Sequence, residues 1–418
     1  MSDLFWPGDE RAGELMSDAA LLHAMVRVEA AWLHALVVVG IAGADAGVSL
    51  DNLITDEDVR VVAERSEAAG NPVPALLALL RERLQPHSPW AATWLHRGLT
   101  SQDVLDTALM LCTADVLARL RTELESQIRA LVGLAERHRA TPMAGRTLTQ
   151  HAVPITFGLK AGVWLQGVLD AADDLARVGL PSQFGAAAGS LAAPTELGAL
   201  AGLDNPPQRA LDLVLHATAV LGLRAQPPWH TSRAPITRLG DALVRCTDAW
   251  GRIANDVLIR SRPEIAELAE PTADGRGTSS TMPQKSNPVL SVLIRRAALS
   301  APMLGAQLHL AAAESLDERP DGAWHIEWAA ARSLARRAVV AASQTTELLT
   351  GLHVHADQMK STVDSASEDL LAERRSLSAQ FNGARTAAVD DPATYLGAND
   401  LIIDAALQRA HPHLGGIR

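Results

Sequence analysis

The chain has 418 residues, with 37 Lys and Arg against 48 Asp and Glu, a formal charge of −11. Hydrophobic residues make up 48% and aromatic ones only 3%, enough for a large core but poor in the residues that strands favour. The acidic balance excludes sequence-independent nucleic-acid binding, which needs a basic face, and the helix formers Ala, Leu, Arg and Glu point to an all-α fold.

The chain start, MSDLFWPGDE, has no basic segment ahead of an apolar run, so no signal peptide is expected. No basic run suggests a membrane surface. The longest apolar stretch, 35–44, is too short to span a bilayer. Cys112 and Cys246 are the only cysteines. They make neither a disulfide framework nor a cysteine zinc site, and a cytoplasmic location fits.

Three helical domains are expected in chain order. The first, 1–99, has shorter helices and a break at Gly70-Asn71-Pro72. The second, 100–345, holds long amphipathic helices. Leu117, Leu120, Leu124, Ile128, Leu131 and Leu134 step by three or four, with Arg119, Glu123, Glu125 and Arg129 on the other face. Similar patterns over 155–178, 236–262, 288–313 and 323–351 read as a central bundle of long helices. The third, 346–418, is a small tail whose pattern loosens near Asp390-Asp391-Pro392. One long connection, 269–286, is crowded with Gly, Ser, Thr and Pro and carries few apolar anchors.

Several polar clusters could carry chemistry. In His96-Arg97-Gly98-Leu99-Thr100-Ser101-Gln102-Asp103, Thr100 and Asp103 fit a capping box. Ser101 and the free N–H groups of that helix start could also hold a carboxylate. Thr147, Gln150 and His151 place three hydrogen-bonding side chains in one short non-helical stretch, and Pro154 suits the first turn of a following helix. Asn287 suits an N-cap and Pro288 the first helical position after it. Lys285 beside that helix start opposes the dipole, a conflict that an anion would relieve. Arg319 could clamp a carboxylate bidentately, and Arg233 could supply a further guanidinium. Trp324 and Trp328, four apart, share a helical face suited to core packing. His325 and Glu327 are two apart and do not face each other, so no metal site is expected there.

Taken in order, these segments resemble the fumarase/aspartase superfamily. SSTMPQKSNP, Ser279 to Pro288, is similar to its signature loop Gly-Ser-Ser-x-Met-Pro-x-Lys-x-Asn-Pro, with Thr278 in place of the Gly. HRGLTSQDVLDTA and GRTLTQHAVPITFGLK resemble its two other conserved regions. Within the superfamily, segments such as QFGAAAGSLA, PWHTSR, GAWHIEW and DPATYLG look like the 3-carboxy-cis,cis-muconate cycloisomerases. The resemblance implies a helical homotetramer whose sites are shared between subunits, no cofactor, no metal and a small tricarboxylate substrate. It implies Ser279 as the catalytic acid/base, with Lys285, Asn287, Thr100 and Ser101 binding carboxylates. Thr147, Gln150, His151 and Arg319 complete the substrate contacts.

Two departures bear on the reaction. Many superfamily members carry a His at the position of Leu148 and pair it with a Glu at the position of Val292; neither partner is present here. Expelling hydroxide or an amine needs a proton donor, whereas a carboxylate, whose acid has a pKa of about 4, leaves unprotonated. The expected reaction is therefore lactonisation of 3-carboxy-cis,cis-muconate to 4-carboxymuconolactone. The alternatives are β-elimination of fumarate from a substituted succinate, and a non-catalytic scaffold of the same fold.

Overall fold

The computed structural model describes residues 3–278, 281–282, 285–380 and 390–415. Among them the chain is predominantly helical. The first stretch holds α1 (Asp18–Val38), α2 (Asp58–Ser66), α3 (Val73–Leu84), α4 (Pro89–Trp94) and the long α5 (Ser101–Arg137). A hairpin, β1 (Pro142–Thr147) and β2 (Gln150–Thr156), leads into α6 (Phe157–Ala176), α7 (Ala192–Leu200), α8 (Pro206–Leu221) and α9 (Ala234–Arg260). Then come β3 (Leu268–Ala269), α10 (Val289–Ala313), α11 (Gly322–Thr350) and β4 (His353–Val354). The chain closes with α12 (Ala356–Ser365), α13 (Ser367–Leu370), α14 (Ala372–Gln380) and α15 (Asn399–Leu414). Each long periodic segment read from the sequence becomes a helix within about two residues of its expected ends, the usual scatter of helix boundaries.

Contact in space divides the chain into two units. Unit 1 comprises 1–119, 177–241 and 303–337; unit 2 comprises 120–176, 242–302 and 338–418. The four longest helices, α5, α9, α10 and α11, have residues in both, so no division by sequence order can reproduce these units.

In unit 1, α8 packs on α1 and on α7. Trp32 of α1 stacks on Phe184 with ring centroids 5.2 Å apart. The N-terminal segment is fastened by Arg336, which donates to Asp9 Oδ2 at 2.7 Å and to the Leu15 carbonyl at 2.6 Å. In unit 2, α15 packs on α6, and α12 and α13 cover the hairpin. The buried Trp250 indole donates to Gln127 Oε1 at 2.7 Å, and Gln127 donates onward to the Ala342 carbonyl at 3.0 Å. These polar groups are buried with partners, which removes their desolvation penalty.

By length and composition α1 and α10 could each cross a membrane, so the 35–44 stretch alone understates the apolar runs. In α1 the apolar residues serve the core: Trp32, Leu33 and Leu36 are buried, and so is Glu29.

Asp58 accepts from both Arg83 Nη atoms at 2.6 and 2.7 Å and from the Thr55 N–H at 2.8 Å. The hydrogen bonds from Arg83 lead, outweighing burial, and hold the carboxyl down at about 2 against an ordinary 3.8. A depressed carboxyl stabilises the fold above its unfolded pKa and loses that contribution as pH falls through its folded value. Asp58→Asn should therefore lower Tm at pH 7, and the gap to the parent protein should close as pH falls from about 4 towards 2. Thermal melts across that range check this; a constant gap would assign the loss to packing instead.

Candidate active site

The residues singled out in the sequence fall in three polar regions. The first, in unit 1, is the start of α5. Asp103 reaches back to the Thr100 N–H at 3.0 Å, which is the acidic half of the expected capping box. The other half is absent: the Thr100 hydroxyl instead accepts from Arg319 Nη1 at 3.1 Å. Thr100 and Arg319 are thus brought together, with Ser101 as the first residue of α5. The Arg319 guanidinium also lies 5.6 Å from the Trp324 ring centroid, within the range of a cation–π contact.

Beneath this surface lies a network that the sequence reading did not find. Asp103 also accepts from the Gly185 and Ala186 N–H groups at 2.8 and 3.0 Å, and His230 Nε2 lies 3.2 Å from it. One turn on, Asp106 faces Arg233 at 2.7 Å, and Arg233 in turn faces Glu327 at 2.6 Å. All three side chains are essentially inaccessible to solvent. Arg233 is therefore committed to these two carboxylates and is not the extra anion clamp expected of it. Burial alone would lower the Arg233 pKa; the charges of Asp106 and Glu327 reverse this and hold it above its ordinary value. Burial pushes Glu327 up, against the pull of Arg233, and the neighbouring Asp106 charge adds to the rise. No fixed spacing links residues separated by more than ninety positions, so no sequence pattern marks this group.

In unit 2 the expected polar stretch forms the β1–β2 hairpin. Pro154 lies within β2 and does not start a helix; α6 begins at Phe157, with Thr156 Oγ1 accepting from the Leu159 N–H at 3.1 Å. The hairpin pairs Thr147 with Gln150 and Arg146 with His151. Leu148 and Thr149 form the two-residue tip, with φ of 49° and 72°. Such tips usually carry Asn or Gly, so this one is strained. Gly145 marks an irregularity in the register, where a Cβ would meet the Val153 carbonyl at 2.5 Å. The hairpin is anchored by Arg146, which donates to both oxygens of buried Glu267 at 2.8 and 3.1 Å. Thr147, Gln150 and His151 are exposed along it.

The third region is the signature loop. Ser279 lies outside the described residues. Lys285 is exposed, its N–H donating to the Met282 carbonyl at 2.9 Å. Asn287 does not cap α10. Its backbone and side-chain N–H groups both donate to the Gly277 carbonyl, at 2.9 and 3.1 Å. The cap comes from Glu270, whose carboxylate accepts from the Leu290 and Ser291 N–H groups at 2.9 and 2.6 Å. Arg276 adds an ion pair to Glu347 at 2.5 Å. The stem of the loop is therefore held by polar contacts where few apolar ones were expected.

Residues 20–302 match the family described as lyase. The chain belongs to the fumarase/aspartase superfamily. Its fold is similar to that of the 3-carboxy-cis,cis-muconate lactonizing enzyme from Pseudomonas putida, with a TM-score of 0.86 and 28% identity over 96% of this chain and 97% of that one. A cycloisomerase from Bradyrhizobium diazoefficiens is 34% identical over 85% of this chain and 77% of its own length. A nitrosuccinate lyase from Streptomyces davaonensis is 42% identical over 86% of this chain and 76% of its own. This superfamily member is an enzyme of the lyase type, and the cycloisomerase likeness read from its motifs is real.

Removing Arg233 would leave two buried carboxylates facing each other. Arg233→Met should cost about 3–5 kcal/mol, the range for breaking a buried ion pair. Glu327→Gln should cost less, because it removes the surplus negative charge and keeps the shape. Urea unfolding midpoints check the order; equal losses would contradict it.

Proposed function

We propose that this lyase eliminates a stable anion from a substituted succinate to give fumarate, with nitrosuccinate as its substrate. The observation that carries the reading is Leu148. It sits at the hairpin tip, 95% exposed, at the position where the superfamily resemblance puts a His in many members. Val292, in the place of that histidine's Glu partner, is 53% exposed. An alkyl side chain has no proton to give, so the leaving group departs as the anion. Nitrite can do so; hydroxide and amines cannot. The 42% identity to a nitrosuccinate lyase supports this leaving group over the 34% relatives that open or close a lactone.

Ser279, as its alkoxide, takes the proton from the methylene carbon beside one carboxylate. That electron pair becomes the new C=C bond, the C–N bond to the nitro group breaks, and nitrite leaves with its electrons. Lys285 faces the charge that builds on the adjoining carboxylate, where a preorganised cation is most effective. Thr100, Ser101 and Arg319 hold the other carboxylate. Thr147 and Gln150 orient the substrate from the hairpin, and Asn287 keeps one of its two amide hydrogens for it. A second reading, cycloisomerisation of 3-carboxymuconate, draws on the likeness to the lactonizing enzyme and fits the same missing donor.

Supplied with nitrosuccinate, the protein should release nitrite and fumarate in equal amounts and leave 3-carboxymuconate untouched. The reverse result would overturn the proposal in favour of the second reading. Ser279→Ala should lower kcat by at least about a hundredfold, the low end for a general acid or base, with circular dichroism unchanged.

The polar regions lie on separate segments, and a homotetramer with shared sites would complete them. Val292, Leu299, Met303 and Leu310 are exposed along α10 at steps of seven, four and seven, which gives that helix an apolar stripe suited to a bundle of subunits. Light scattering should give about four times the chain mass; an active monomer would refute sharing.

A further inference from the structure

Unit 2 holds a cavity of about 800 Å³ between the hairpin, α6, α9 and α12. Its charge is gathered at one corner, where Lys160 of α6 and Arg252 and Arg260 of α9 surround the single carboxylate of Asp256. Asp256 gives its short contacts to Arg260 Nη1 at 2.7 Å and to the neutral Trp164 indole at 2.8 Å. Lys160 Nζ and Arg252 Nε stand off from it at 3.4 Å. Burial would raise the Asp256 carboxyl, but the charges of Arg260 and Lys160 hold it below its ordinary value, so it is ionised. Three cations against one carboxylate leave two positive charges at this corner. Elsewhere the lining is balanced. Arg146 is taken up by both oxygens of Glu267, and Arg262 and Glu264 are exposed groups of opposite sign.

The Arg260 guanidinium shows where an anion would sit. Arg260 is only 6% exposed. Its Nη1 is spent on Asp256, and its Nε is enclosed, 3.8 Å from Glu267. Its Nη2 has no acceptor among the described residues and is not enclosed as Nε is, so two N–H groups open on the cavity that Arg260 lines. The Lys160 side chain, 13% exposed, has only its 3.4 Å contact to Asp256, which leaves two of its three N–H groups without an acceptor. Burial lowers the Lys160 pKa and the Arg260 charge lowers it further; an anion between them would oppose that second effect. These donors are largely withdrawn from water, where a charge-assisted hydrogen bond is strongest.

We infer that this corner binds the phosphate of a small phosphate monoester. Two surplus charges at one point suit one doubly charged head, and a monoester phosphate carries close to two negative charges and three acceptor oxygens at neutral pH. Arg260 Nη2, Lys160 and Arg252 meet those oxygens, while Asp256 holds the three cations together. The cavity exceeds what a bare phosphate fills and lies in the range of small-molecule sites. The remaining lining offers the organic part the neutral side chains of His151, Gln358 and Ser361, none of them hydrogen-bonded among the described residues. The hairpin separates this site from the proposed substrate contacts. Arg146 pairs with His151 and Thr147 with Gln150, and neighbouring strand residues point to opposite faces. Arg146 and His151 line the cavity; Thr147 and Gln150 do not.

Calorimetry on the full chain tests this, with glycerol 3-phosphate as the probe and Lys285→Met as the background, so that the cation of the signature loop takes no part. The probe should bind once per chain. Arg252→Ala, a change at a side chain 60% exposed, should keep the fold by circular dichroism and raise Kd about tenfold, the loss of one charge-assisted hydrogen bond. Lys160→Met should abolish binding. Inorganic phosphate should bind more weakly than the ester, having no organic part to meet the neutral lining, and singly charged acetate more weakly still. No binding of the probe, an unshifted Kd in Arg252→Ala, or acetate binding as tightly as the phosphates would overturn the inference. Inorganic phosphate binding more tightly than glycerol 3-phosphate would overturn the choice of an ester.

Discussion

Unit 1 depends on one buried arrangement, the Arg233 guanidinium between Asp106 and Glu327. Transfer of each ion from water costs several kcal/mol, and mutual attraction offsets this only where the remaining hydrogen-bonding groups are met. Here they are met densely. Arg233 donates to both carboxylates, and the Trp324 indole and Gln102 amide donate to Asp106 at 2.9 and 3.1 Å. One cation cannot balance two carboxylates, so neutral dipoles complete the solvation, and Glu327 keeps an upward-shifted pKa. Asp106 belongs to α5, Glu327 to α11, and Arg233 to the turn that starts α9. The group thereby fixes where α5 begins, and with it the Thr100 hydroxyl that Arg319 reaches.

The order of the network matters for function. Asp103 lies one turn before Asp106 and is bonded from Gly185, Ala186 and Thr100. With Asp103 saturated by buried donors, the polar groups left nearer the surface are the half-buried Thr100 and Ser101 and the exposed Arg319. On the proposed reading, a substrate carboxylate approaching there would meet donors, while the negative charge beneath is already engaged.

The helices were legible because burial imposes a period of 3.6 residues over many turns. The hairpin was not. Its tip, Leu148-Thr149, lacks the Asn or Gly that normally marks a two-residue turn, and the register irregularity at Gly145 breaks the alternation of a strand. Its place is set from outside by Arg146 on Glu267, more than a hundred residues away. Arg233, Asp106 and Glu327 were hidden for the same reason: long-range ion pairs leave no local period. The motifs named which residues to watch, and the physics of packing shows which of them are already occupied.

The start of α10 shows the difference most clearly. Lys285 near a helix N-terminus suggested a missing anion, since the dipole there repels a cation. The anion exists, and the chain supplies it: Glu270 folds back onto the Leu290 and Ser291 N–H groups. The first turn of α10 is therefore already satisfied and offers a substrate little. Lys285 is exposed and has no ion pair among the described residues. Its charge remains uncommitted, held on a loop whose stem is closed by Asn287 on Gly277 and by Glu270 on α10. A substrate carboxylate would thus be met by the ammonium itself, while the helix dipole is spent on fastening the loop that carries it.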